Sequence, residues 1–202
     1  MPLVPLLWPS IATPVTETEG IKSLYAHLTG LHYSIDAWEA ALLLYQTAIH
    51  PPPSISRAVA CRWRFVACGE CVLELYHLRA RLAKIQSIQL RKCPSLWPLI
   101  DIARLRAARK QLDEYFPDIE SLRHAIAHKG ENDAHPEIHA PEGLFALTRI
   151  READVFSVPY QGQLRHLAIT AESLERMGEV VVEFIGAFEQ AAAELERQGH
   201  LE

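Results

Sequence analysis

Three consecutive prolines, Pro51-Pro52-Pro53, constrain this chain more than any other feature. Each ring fixes φ, removes a backbone donor and restricts the residue before it, so no helix passes through them. On both sides lies helical periodicity. Before the prolines, Leu24, Leu28, Leu31, Ile35, Trp38, Leu42, Tyr45 and Ile49 recur at three- and four-residue steps, which predicts a helix over 19–49 that Gly30 can kink or divide. After them, Ser54 or Ser56 is placed to cap a second helix reaching about Lys92. Its apolar stripe runs through Phe65, Cys68, Val72, Leu75, Leu78, Leu82 and Ile85. Two long amphipathic helices joined by a short rigid turn are expected to lie antiparallel.

The same punctuation divides the rest of the chain. Cys93-Pro94 breaks the second helix, and Ser95 is a cap candidate for a third over about 95–115. Phe116-Pro117-Asp118 is a turn, and a fourth helix is expected over about 118–130, stopped by Gly130. The period then changes. Residues 131–143 read as loop, 144–150 and 155–158 as strands, Gln161-Gly162-Gln163 as a turn and 164–169 as a further short strand. Thr170 caps a last helix striped by Leu174, Met177, Val181, Phe184, Ile185 and Phe188. The expected fold is mainly α: an antiparallel helical bundle with a short β insertion, about 144–169, before the last helix. Residues 1–18 are expected to form an extended Pro-rich arm packed on the chain itself, and 19–198 a single domain.

At 202 residues the chain is long enough to bury a substantial core. No window approaches the roughly 18 uninterrupted apolar residues of a membrane span, so no membrane partner is expected. The apolar start, Met1 to Pro9, lacks a basic segment and is broken by prolines, unlike a secretory signal. Cys68-Gly69-Glu70-Cys71 raises a metal or redox reading. However, Cys61, Phe65, Cys68, Val72 and Leu75 share helical spacing, which puts the thiols on an apolar stripe, and no second CxxC completes a zinc site. Core thiols without a disulfide framework fit a cytoplasmic protein. Net charge is −5, yet residues 57–110 hold twelve lysines and arginines against Glu70, Glu74 and Asp101. That basic stretch suits a polyanion, or it pairs with acidic helices such as the last, which carries Glu172, Glu175, Glu179 and Glu183.

The stretch richest in chemistry is Ser121-Leu122-Arg123-His124-Ala125-Ile126-Ala127-His128. His124 and His128 lie one turn apart on nearly the same helix face, whereas Arg123 and His128 are about 140° apart round the axis. Arg123 reaches a ligand shared with His128 only through its long side chain or with help from a second copy of the helix. Histidine exchanges protons near neutrality, and the arginine fork matches phosphate oxygens. The chain has no Walker A loop, no Gly-x-Gly-x-x-Gly, no Gly-x-Ser-x-Gly and no paired-carboxylate face.

Arg123, the polar His124 after it, and His128 resemble the Arg-x4–6-His motif of HEPN domains, the higher eukaryotes and prokaryotes nucleotide-binding family. The order of elements over roughly 20–190 is similar too. The resemblance implies a helical bundle that forms a homodimer, with two motif helices meeting in a composite site of two arginines and four histidines. It implies either a metal-independent endoribonuclease or a non-catalytic partner of toxins or sensors, in bacterial defence or a toxin–antitoxin setting. For the nuclease, Arg123, His124 and His128 are the catalytic residues, RNA is the partner and no cofactor is required.

Two other readings stand beside it. His124 and His128 have the spacing with which one helix offers two imidazoles to a metal, and His135 and His139 follow. Against a metal, no HExxH is present and Arg123 and Lys129 make the neighbourhood cationic. In the other reading the bundle is no enzyme and acts as an RNA-, nucleotide- or protein-binding module.

Overall fold

The computed structural model describes residues 4–128, 149–151 and 154–199. The fold is mainly helical, with a small antiparallel sheet before the C-terminal helices. Helix α1 spans Thr18–Ile49 and runs through Gly30 unbroken. Beyond the prolines, Ser56 caps α2, Arg57–Lys84, with its Oγ accepting from the Val59 N–H at 3.3 Å. The predicted continuation to Lys92 is helical but not α. Ile85–Gln89 is a π turn and Leu90–Lys92 a 3₁₀ turn. The π turn inserts a residue into the winding and swings the side chains after it. Gln89 is thereby buried, and its Oε1 accepts from Ser23 at 3.2 Å.

The expected helix over 95–115 is shorter. Pro94–Leu99 is a 3₁₀ turn, because Pro98 cannot donate to an α ladder, and α3 spans Ile102–Tyr115. Ser95 does not act as a side-chain cap. Its N–H and Oγ both donate to Glu17, at 3.0 and 2.6 Å. Asp101 caps α3 instead, accepting from the Arg104 N–H at 3.0 Å.

Helix α4 is Ile119–Ala127. Strands β1 (Arg149–Arg151), β2 (Val155–Tyr160) and β3 (Gln163–Ala168) pair antiparallel in that order. Gln161 and Gly162 join β2 to β3 with φ of 48° and 72°, the left-handed pair that suits a two-residue hairpin. Residues 129–148, with most of the first expected strand, lie outside the described residues.

The expected last helix is two. Helix α5, Ala171–Gly186, starts on Thr170, whose Oγ1 accepts from the Ser173 N–H at 3.3 Å. Helix α6 is Glu189–Arg197. The break falls at Gly186, where the Arg104 guanidinium occupies the space a Cβ would need.

Contacts divide the chain into two compact units, each built from separated segments. One comprises Met1–Ile35, His77–Tyr115 and Arg176–Glu202; the other comprises Asp36–Tyr76 and Phe116–Glu175. In the first, Ile21, Leu24, Leu28, Leu78, Leu82 and Phe184 are fully buried, each contributing about 1.5–3 kcal/mol by leaving water. The N-terminal arm belongs to this unit. Leu7 is buried, Ser10 Oγ donates to Gln198 at 2.7 Å, and the Ile11 N–H donates to the Gly199 carbonyl. In the second unit Trp38 meets Phe116 with ring centroids 6.3 Å apart. Cys68, Cys71 and Cys93 are buried free thiols; Cys61, expected on the same stripe, is exposed. No described helix is long and apolar enough to cross a membrane.

Candidate functional site

Helix α4 belongs to the second unit and is amphipathic. Ile119, Leu122 and Ala125 are buried, which turns Arg123 and His124 to a half-buried position and leaves His128 exposed. Its start is held by tertiary contacts. Asp118 occupies the N-cap position without capping the helix by its side chain. Its carboxylate instead accepts from Arg165 Nη1 at 3.0 Å and from the backbone N–H of His166 at 3.2 Å, both on β3. His128 ends the helix with its N–H donating to the His124 carbonyl at 3.0 Å.

His124 lies between the other two motif side chains, beside Arg123 on one side and His128 on the other. Arg123 Nη1 is 3.5 Å from His124 Nδ1. A guanidinium only donates, so this contact assigns the ring proton of a neutral His124 to Nε2. The Arg123 guanidinium carbon sits 5.0 Å over the ring of Tyr76 on α2, a cation–π contact that limits where the fork can point. The His124 ring is near-parallel to His128 (6.4 Å, 18°) and to Tyr160 (6.2 Å, 10°). An array of imidazole, imidazole and phenol rings thus runs along the end of α4 beside β2, with a cation at its edge.

Tyr76 and Tyr160 are the members that sequence reasoning did not find. Tyr76 sits in a helix whose period marks core positions, and Tyr160 is the last residue of a strand before the Gln161-Gly162 turn; neither carries a motif. His135 and His139, the other members of the metal reading, lie outside the described residues. Among the described residues, no three or more His, Cys, Asp or Glu side chains gather to hold a metal.

A second polar cluster in this unit is structural. The buried Tyr45 hydroxyl donates to Asp154 Oδ1 at 2.9 Å and accepts from Arg64 Nη2 at 3.4 Å. Burial, joined by the Asp154 charge, pushes the Tyr45 phenol up to about 12. The bond to Tyr45 raises Arg64 further. Tyr45 therefore stays protonated at neutral pH and serves as a hydrogen-bond relay, not a base.

The basic stretch is partly matched by acids within the first unit. Arg79 pairs with Asp113 at 3.0 Å, Lys110 with Glu114 at 3.4 Å, and Arg104 donates to both oxygens of Glu183 at 3.2 and 3.1 Å.

Comparison of the chain with protein-family models, with curated proteins and with solved structures gives no match.

Proposed function

We propose that Arg123, His124 and His128 form the RNA-cleaving site of a HEPN-like endoribonuclease, completed by a second copy of the chain and acting in the cytoplasm. The observation that carries this reading is the ring array: two imidazoles one helical turn apart, with a guanidinium at the edge of the inner one.

In this reaction His128, at the exposed end, takes the proton of a ribose 2′-hydroxyl. The 2′-oxygen attacks the adjacent phosphorus, and the bond from phosphorus to the 5′-oxygen breaks. An imidazole of the other copy protonates the leaving 5′-oxygen. Arg123 binds the non-bridging oxygens and stabilises the charge that builds on them. His124 orients Arg123 and His128. The products are a 2′,3′-cyclic phosphate and a 5′-hydroxyl, and the step needs no metal. The two-fold partner supplies what one helix cannot, because Arg123 and His128 diverge by about 140°.

Cleavage of single-stranded RNA in the presence of EDTA tests this. Wild type is expected to cleave, and His128→Ala to lose at least about a hundredfold in rate while keeping the wild-type melting temperature. Undiminished cleavage by His128→Ala would sink the assignment. One observation favours a second reading, a non-catalytic RNA- or protein-binding module: Arg123 already engages Tyr76 and His124 of its own chain. That reading predicts RNA binding without cleavage by the wild type.

A further inference from the structure

Strand β2 presents Phe156, Val158 and Tyr160 on one face, opposite Leu167, Arg165 and Gln163 of β3. This face looks towards α4, since Arg165 bonds Asp118 and the Tyr160 ring lies beside His124. Phe156 and Val158 are buried and supply the strand's core contacts. Tyr160 stays half-buried at the end of the strand, where the Gln161-Gly162 turn begins. A ring placed there only to fill the core would be covered as its two neighbours are.

The ring spacing points the same way. Tyr160 and His124 are within 10° of parallel with centroids 6.2 Å apart, and His124 and His128 within 18° at 6.4 Å. Rings in face contact bring their atoms to about 3.5–4 Å. At the observed separations, near-parallel rings are either displaced sideways by most of a ring or held apart by more than a contact. Both arrangements leave most of each facing π surface uncovered by the other ring. One imidazole joins the tyrosine to a cation, since Arg123 Nη1 is 3.5 Å from His124 Nδ1. Two side-chain amides border the tyrosine. Gln161 Nε2 donates to its hydroxyl at 3.4 Å, and Gln163 is its partner across the strands; both are exposed. A π face, a cation one ring away and amides at the rim are the parts that hold an unpaired nucleotide: the base stacks, the phosphate pairs and an amide meets the base edge.

We propose that Tyr160 stacks on an unpaired base of single-stranded RNA, beside the phosphate that Arg123 holds. The inference rests on the reading of α4 as an RNA-contacting element and adds a substrate class to it. A base inside a duplex is stacked on both faces and paired at its edge, so it does not reach the ring. Every base has a π face, so the selectivity is for an unpaired strand and not for a sequence. The ring carries the contact and the hydroxyl does not, so phenylalanine serves as well as tyrosine.

The test measures binding by fluorescence anisotropy. One probe is a short single-stranded 2′-fluoro RNA, which has no 2′-hydroxyl to attack and stays intact. The other is the same backbone carrying abasic sites in place of bases. Tyr160→Leu is expected to bind the 2′-fluoro strand about tenfold more weakly than wild type, and Tyr160→Phe within about twofold of it. On the abasic strand all three proteins should bind alike, which separates lost stacking from lost structure. Cleavage of the unmodified RNA is scored separately. Wild-type cleavage together with undiminished binding by Tyr160→Leu keeps the nuclease and overturns the stacking role. Base-dependent binding without cleavage ends the nuclease reading and supports the stacking role. A Tyr160→Leu loss of equal size on the intact and abasic strands, or no measurable binding of the 2′-fluoro strand by wild type, also overturns the proposal.

Discussion

Replacing Asp118 with alanine is expected to destabilise the protein by about 2 kcal/mol. The carboxylate accepts one bond from Arg165 Nη1 and one from the His166 N–H, at 3.0 and 3.2 Å. A fully exposed ion pair contributes about 0.2–1 kcal/mol, and a buried hydrogen bond to a charged group about 1.5–3. Here the two charged side chains are 25% and 22% exposed, which places the pair between those limits. The truncation also worsens an existing deficit, because Arg165 Nε is already buried without an acceptor among the described residues. For a chain of this length the loss corresponds to a fall of roughly 4–8 °C in Tm. Urea denaturation of wild type, Asp118→Ala, Arg165→Ala and the double variant gives the coupling, expected at about 1 kcal/mol. Asp118→Asn keeps an acceptor and should cost about half as much as alanine. A cost for Asp118→Ala below about 0.5 kcal/mol, or strictly additive single variants, would refute the argument that this carboxylate ties α4 to β3.

Three further outcomes follow from the packing. Gly186→Ala is expected to displace the Arg104 guanidinium from Glu183 and cost about 1 kcal/mol, whereas in an Arg104→Ala background the same change should be neutral or stabilising; thermal melts of the four proteins decide it. Burial pushes the Cys68 and Cys93 thiols up to about 12 and raises Cys71 as well. A thiol reagent should therefore modify Cys61 rapidly in the folded protein and the other three only on unfolding, which a timed absorbance assay resolves. Tyr45 titrates near 12 when folded and near 10 when unfolded, so the unfolded chain loses that proton first. Its contribution is full below about pH 10 and declines as pH rises towards about 12. Tyr45→Phe should flatten that alkaline loss in denaturant titrations while lowering stability at neutral pH by about 1–3 kcal/mol, through the unpaired Asp154 and Arg64.

Much of the fold was legible in the sequence because its determinants are local. The prolines at 51–53 end α1 whatever surrounds them, the three- and four-residue spacing of Leu24 through Tyr45 sets the buried face, and Gln161-Gly162 adopts the left-handed pair its residue types allow. The placement of His124 and His128 one turn apart on nearly the same face of α4 was legible for the same reason. Tertiary structure decided the rest, wherever a polar side chain could choose between a local and a distant partner. Ser95, a cap candidate by sequence, donates to Glu17 instead, and Asp118, at the N-cap position of α4, accepts from Arg165 and His166 instead of capping the helix. The winding changes at Ile85–Gln89, where Gln89 is buried against Ser23, and the last helix breaks at Gly186, where an arginine from α3 needs the space. Tyr76 and Tyr160 join the site from positions 47 residues before Arg123 and 36 residues after His124. Periodicity and propensity are set by neighbours a few residues away. Which acceptor a buried donor finds, and which ring a cation covers, depends on groups that only folding brings within reach.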